Sequence, residues 1–591
     1  MCEFNNGKVS GGFPGKVGRR DVLRYGAGGA VLSALASGGA AFGKAPAHPP
    51  RAEIGQGKLQ GKITRGARAF KGIPYGAPTG GTNRFLRPQP AAKWAGVRDA
   101  TKVGYTAPQE SRNKGEQNED CLTLNVWAPE RPKSSGKLPV MVWLHGGGYA
   151  SGSANVAEYD GSNIARECDV VVVGVNSRLN IFGFSYFETT DERFASSGNI
   201  GLLDVVQSLE WIRDNIEAFG GDPENVLIFG ESGGACKVNM LLGMSAAHGL
   251  FHKAIVQSGR LLDLRRPELG LRMSNKIFAR LDIKRGDIAA LQRVPTRLLA
   301  DLNTPISVEA SPPLGSQLAF GPTLDGVNFK RQPWAVGAPD NTRNIPMLVG
   351  TTLDEQVGWI AAGAVGTQRE FGTTRGKQNA AIADDLVRDY LNDEEMAAAA
   401  IKGLRVTSAA TGGSVPVNVM GEIVTASRKE LPDLSSAQRL VRVSSDASYR
   451  AAAIHQGELR VQKGGAPLYF YELRWRSPQR YAGLWASHGT DLAVVFGFNE
   501  YDGNPMAPPG KEMQYADMQR KVMAAWAAFA WSGNPSTPEL QWPAYDLASR
   551  PTMIFDGVSK VENDPRPLIR QATEQLYKSG SPMTFDGASP T

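Results

Sequence analysis

The chain has 591 residues, 41% of them hydrophobic and 21% charged. Those proportions belong to a folded globular protein and exclude a disordered polymer or a membrane bundle. Lys and Arg total 65 against 58 Asp and Glu, a formal +7. Four of those seven net charges come from the first 47 residues. No dense basic stripe appears elsewhere, so nucleic-acid binding has no support. The length accommodates several ordinary domains or one large α/β domain with insertions.

The N-terminus has the form of an export signal. Arg19-Arg20-Asp21-Val22-Leu23-Arg24 resembles the twin-arginine consensus, with Gly18 and Val22 replacing the commoner Ser/Thr and Phe. A mildly apolar Ala/Gly-rich stretch, Tyr25 to Phe42, precedes an A-x-A cleavage site at Ala45-Pro46-Ala47. Residues 1–47 therefore read as a bacterial signal peptide, with export to the periplasm or medium in the folded state. The apolar stretch is too glycine-rich to act as a stable membrane anchor. Of the four cysteines, Cys2 would leave with the signal, and Cys121, Cys168 and Cys236 cannot all pair. Cys168 precedes the run Val170 to Val173 and reads as a small buried hydrophobe.

After a proline-rich linker at 46–50, residues 48–591 read as one domain. From 51 to 127 short strand-like runs alternate with glycine turns, predicting an antiparallel opening. Leu138 to Leu144, Val170 to Val175 and Val226 to Phe229 are continuous apolar runs, as expected of strands buried on both faces of a mostly parallel sheet. Leu202, Val205, Leu209, Ile212 and Ile216 have helical spacing between the last two runs, and this βαβ rhythm predicts a doubly wound α/β core. Residues 265–310 and 360–450 are helix-prone insertions placed to cover one end of the sheet; runs such as Asp384 to Leu391 and Glu394 to Leu404 belong to the second. Met513 to Trp531 predicts a helix stopped by Gly533-Asn534-Pro535. The tail after about Asp564 shows no clear core pattern in its last residues.

Chemistry concentrates around Phe229-Gly230-Glu231-Ser232-Gly233-Gly234. A strand, a G-x-S-x-G turn and a helix-prone segment (Ala235 to Met244) describe a nucleophile elbow, with Ser232 exposed at the end of a sheet. Acyl-bond hydrolysis also needs a base, a group that orients it, and donors for the developing oxyanion. The run Pro139 to Leu144 leads into His145-Gly146-Gly147-Gly148-Tyr149, whose glycines leave backbone N–H groups bare for a substrate oxygen. Among the six histidines, His48 lies in the linker, His145 in the glycine loop, and His455 in an Ala-rich helical stretch. His248 and His252 form an H-x3-H pair without the glutamate of H-E-x-x-H or an evident third ligand, so no metal site is expected there. His488, in a polar loop before Ala493 to Phe496, suits a general base. The acid should lie between serine and histidine. Asp354 and Glu355 both follow the strand-like Pro346 to Gly350, and position alone does not choose between them.

From about residue 52 to 556 the chain resembles the type-B carboxylesterases, the cholinesterase-like branch of the α/β-hydrolases. Phe70 to Tyr75 is similar to that family's opening motif, and Glu119 to Val126 to its second signature. The loop His145 to Gly148, Gly198 to Asp204, Asn215 to Pro223 with the elbow, and the closing Trp526…Gly533-Asn534-Pro535…Trp542-Pro543 also match in order. The resemblance implies an α/β-hydrolase fold and a small-molecule ester substrate, with no cofactor. It implies Ser232 as nucleophile, His488 as base and Glu355 as acid, with oxyanion N–H groups from Gly147, Gly148 and Gly233. Glu231 takes a position that in cholinesterases helps stabilise charge.

Some positions depart from the pattern. Ala107 stands where the family usually places the partner of Cys121, so Cys121 is expected as a free thiol. Gly233 replaces a commoner alanine, which should loosen the turn. Gln356 replaces the glycine after the acid, and Ser177 replaces a common tyrosine. The same triad could serve amide, carbamate or thioester hydrolysis, and cholinesterase-like domains also include non-catalytic binding proteins, which generally lack a complete triad.

Overall fold

A computed structural model describes residues 49–110, 115–260, 262–310, 319–358, 360, 395, 398, 417–479, 483–501 and 504–578. The expected signal peptide and the runs Asp384 to Leu391 and Glu394 to Leu404 lie almost wholly outside these residues. The main sheet has eleven strands. In chain order they are β1 (Lys62–Thr64), β2 (Ala67–Pro74), β3 (Thr123–Pro129), β4 (Leu138–Leu144), β5 (Val171–Val175), β6 (Gly221–Glu231), β7 (Lys253–Gln257), β8 (Met347–Thr352), β9 (Leu468–Leu473), β10 (Pro551–Phe555) and β11 (Lys560–Asn563). Their spatial order is β1-β2-β3-β5-β4-β6-β7-β8-β9-β10-β11. From β5 to β10 every neighbouring pair is parallel, whereas both edges are antiparallel. The opening hairpin, Arg51–Ile54 with Gly57–Gln60, is antiparallel as the glycine turns suggest.

The central strands lack polar alternation because both of their faces are covered. Val140, Val142 and Leu144 of β4 face one core, with Val226 and Ile228 of β6. Met141 and Trp143 face the other, with Leu227 and Phe229. Period-two side-chain alternation therefore separates two apolar layers rather than core from water. On the first face lies α1 (Ile200–Asn215), burying Leu202, Val205, Leu209 and Ile212. On the second lies α7 (Glu512–Ser532), which stops at Gly533 (φ 76°), whose N–H returns to Phe529 O at 2.8 Å. This left-handed glycine closes the helix as a C′ residue.

Between them in sequence come α2 (Gly233–Leu242), α3 (Pro267–Arg280), α4 (Val417–Glu430), α5 (Ser436–Ser445) and α6 (Ala451–Lys463). A single π-turn, Asp446–Arg450, joins α5 to α6. The tail after Asp564 carries a helix that the sequence pattern did not reveal, α8 (Pro567–Lys578), which lies against α4, α6 and the π-turn and adds Ile569, Ala572 and Leu576 to the apolar cluster there, while residues 579–591 lie outside the described ones. Glu430 accepts the N–H groups of Leu568 (3.1 Å) and Ile569 (3.0 Å) at its start. Beside it, Arg566 bonds Asp446 of the π-turn (2.9 Å) and Glu472 of β9 (2.9 Å). Among the described residues no helix is long and apolar enough to cross a membrane.

Candidate active site

Ser232 stands between β6 and α2 with φ 55° and ψ −118°. A non-glycine residue reaches that region only when its surroundings force it there. Its N–H donates to Gln257 O at 2.9 Å, locking the turn to the neighbouring strand β7. The turn has no room for side chains on its inner side. A Cβ at Gly234 would sit 2.7 Å from the carbonyl carbon of Leu144 and nearer still to its oxygen.

Gly233 corrects the expectation of a looser turn. A Cβ there would stand 2.5 Å from Gly148 N and closer to Gly148 O. The missing methyl therefore lets the glycine loop close directly on the elbow. Gly147 and Gly148 have φ of 93° and 65°, conformations that glycine adopts freely. The N–H groups of Gly147, Gly148 and Gly233 donate to no protein acceptor among the described residues. The loop and elbow thus bring three uncommitted donors beside one serine.

The histidine arrives from the far side. His488 Nδ1 lies 2.5 Å from Glu355 Oε2, and its Nε2 lies 3.0 Å from Glu231 Oε1. Glu355 Oε1 accepts the Ser258 hydroxyl at 2.6 Å and the Thr352 N–H at 2.8 Å, so one carboxylate edge is held and the other meets the ring. Geometry also separates the two adjacent acids. Asp354 turns away to accept from Arg442 (2.8 Å) and from the N–H of Ala486 (3.1 Å). Its own N–H donates to Ala486 O at 2.9 Å. Asp354 therefore straps the histidine loop to the acid loop, while Glu355 touches the imidazole.

The electrostatics couple these groups. Burial raises the Glu231 carboxyl well above the usual carboxylate range. Burial pulls His488 down, but Glu231 and then Glu355 outweigh it and leave the imidazole above its ordinary value. Asp491 sits behind them, accepting from Gln257 (2.9 Å) and the Tyr471 hydroxyl (2.8 Å).

Several of these contributors were invisible in the sequence. Ser258 was one; its only local mark is a Ser-Gly pair closing β7, with φ 55°. Tyr449 was another: its ring lies 5.0 Å from that of His488, presented by the π-turn. Gln356, noted only as a departure, donates its N–H to Ser445 (3.0 Å) and its side-chain amide to Ser448 (2.9 Å), tying the acid loop to α5 and the π-turn. Lys237 of α2 is fully buried, its Nζ donating to His145 O at 3.4 Å, and burial pulls it down to about 7. The remaining histidines fall elsewhere. His252 Nδ1 accepts the Val226 N–H at 3.1 Å, and His455 lies in α6, pulled down to about 4 by burial. Cys121, Cys168 and Cys236 are buried and form no disulfide among the described residues.

Comparison with known proteins decides the lineage. The model of the carboxylesterase family matches residues 48–568. The chain belongs to that family. It is 33% identical to the para-nitrobenzyl esterase of Bacillus subtilis over 87% of this chain and 96% of that protein. It is 32% identical to the liver carboxylesterase of Sus scrofa, over 87% and 91%. Among solved structures, a carboxylesterase of Geobacillus stearothermophilus superposes with a TM-score of 0.71 at 30% identity, covering 88% of this chain and 99% of that one. This carboxylesterase is accordingly an α/β-hydrolase that cleaves carboxylic esters as a serine hydrolase.

Proposed function

We propose that this carboxylesterase works through an acyl-enzyme on Ser232. His488 takes the proton of the Ser232 hydroxyl as that oxygen attacks the ester carbonyl. Glu355 holds Nδ1–H, fixing the tautomer and stabilising the imidazolium as it forms. The carbonyl oxygen, now negative, accepts from the N–H groups of Gly147, Gly148 and Gly233, each contributing on the order of 3 kcal/mol. Collapse expels the alcohol with the proton from His488, and water then releases the acid by the same route. The observation that supports the assignment is three unused N–H donors at a strained serine turn, with a glutamate-held histidine whose Nε2 stands 3.0 Å from Glu231, the residue before Ser232. A fluorophosphonate probe should label the folded protein, and Ser232→Ala should abolish labelling; a folded wild-type protein that stays unlabelled contradicts the reading.

The proposal includes export. Arg19-Arg20 and the Ala/Gly-rich stretch after it support twin-arginine translocation before signal removal near Ala47. Replacing both arginines by lysine should retain the enzyme in the cytoplasm on cell fractionation; unchanged export would contradict it.

A further inference from the structure

Two guanidinium groups flank this site without a carboxylate to answer them. Both lie on the segment that leaves β7 just after Ser258. Arg260, half-buried, has its Cζ 5.1 Å from the Tyr449 ring, which itself packs at 5.0 Å on His488. Its charge is therefore within about 10 Å of the imidazole. Arg265 is 6% exposed and lies beside Tyr149, the residue that follows the oxyanion loop. A Cβ at Gly321 would sit 3.3 Å from Arg265 Nε and 3.2 Å from Tyr149 Cδ2, so arginine and tyrosine share one small space. Both tyrosines also feel the thiol of Cys236, whose N–H bonds Ser232 O one turn into α2. Each arginine thus stands beside a tyrosine that neighbours the start of α2.

Neither side chain makes a hydrogen bond or ion pair among the described residues. Asp263, which stands between them in sequence, does not neutralise them. Burial alone acts on its carboxyl, raising it to about 6, and neither guanidinium pulls it back. Burial likewise lowers Arg265 to about 9, opposed only by the Tyr149 hydroxyl and by no carboxylate. Other buried arginines have their donors answered, by carboxylates as with Arg178 and Asp204 at 2.6 Å or Arg84 and Glu119 at 2.9 Å, or by backbone carbonyls as with Arg460. A buried cation left without one is costly unless an anion arrives with the ligand.

We propose that Arg260 and Arg265 bind a carboxylate carried by the substrate, making this an esterase for acidic esters such as half-esters of dicarboxylic acids. The proposal rests on ester hydrolysis at Ser232 and names the substrate class of that site. A guanidinium suits this task because its planar fork pairs with both carboxylate oxygens.

The test compares matched esters in two arms. One arm places the charge on the acyl side, the mono-p-nitrophenyl ester of adipic acid against p-nitrophenyl hexanoate. The other places it on the alcohol side, the acetate of m-hydroxybenzoate against that of m-hydroxybenzamide. In at least one arm the acidic ester should lead in kcat/KM by about 10- to 100-fold. Arg260→Gln should collapse that ratio, mainly through KM, while Arg260→Lys keeps much of it. Arg265→Gln is the second probe, read only where its melting curve shows a folded protein. A wild-type enzyme with no acidic preference in either arm, or a preference that survives Arg260→Gln, overturns the proposal. An enzyme that hydrolyses neither member of any pair overturns the esterase mechanism instead.

Discussion

The two halves of the site are built by different means. The serine half is backbone. Ser232, Gly233, Gly234 and the loop Gly147–Gly148 are set by dihedral angles and by carbonyls that leave no room for a Cβ. The histidine half is side chain: Glu355 through Ser258, Asp354 through Arg442, Gln356 through two serines, and Tyr449 on a π-turn. A backbone device tolerates almost no change, because one added methyl must displace a neighbouring strand or loop. A side-chain device degrades in steps, because each hydrogen bond contributes separately.

That contrast can be broken most strongly at Gly233. Gly233→Ala must push Gly148 away, and kcat should fall roughly tenfold, short of the 10²–10³ expected for outright loss of a donor. The melting temperature should fall as well, because the added methyl overlaps the Gly148 backbone; an unchanged kcat would show that the loop has slack. Next in size is the acid limb of the pH profile. As the proposed base, His488 would act only when neutral, so its raised value should place the rise of kcat/KM above the ordinary histidine value of about 6.5. Glu231→Gln removes a negative neighbour, favours the neutral ring and should move that limb to lower pH. A limb that stays put or moves upward would refute the coupling. The smallest effect belongs to Gln356→Gly. Losing the amide bond to Ser448 should cost about 1 kcal/mol of stability by denaturant melting and lower kcat a few-fold. A stability loss with kcat intact would confine Gln356 to structure.

The same contrast explains what could be read from the sequence. The run Leu138–Leu144 coincides with β4, and the run Val170–Val175 meets β5 to within one residue, because both faces are buried and every position must be apolar. Strand β6 begins at Gly221, five residues before its apolar run, because Asp222, Glu224 and Asn225 are polar and Pro223 reads as a turn, which hides its start. The elbow and glycine loop were legible because backbone geometry demands glycine locally. Family resemblance, not spacing, singled out Glu355 over Asp354, and the geometry that distinguishes them involves Arg442 and Ala486, far away in the chain. Helix α8 escaped notice for a similar reason: its apolar face is three residues, and its first turn is capped by Glu430, 138 residues upstream of Leu568. A residue's identity is local, but its partner is not.

The central claim is that Ser232 is a nucleophile with a preformed hole of three backbone donors. A crystal structure of the fluorophosphonate-treated enzyme tests it most directly. Phosphorus should be bonded to Ser232 Oγ, with its phosphoryl oxygen within about 2.7–3.1 Å of the Gly147, Gly148 and Gly233 nitrogens. An adduct on another residue, or a phosphoryl oxygen turned away from that loop, would contradict it.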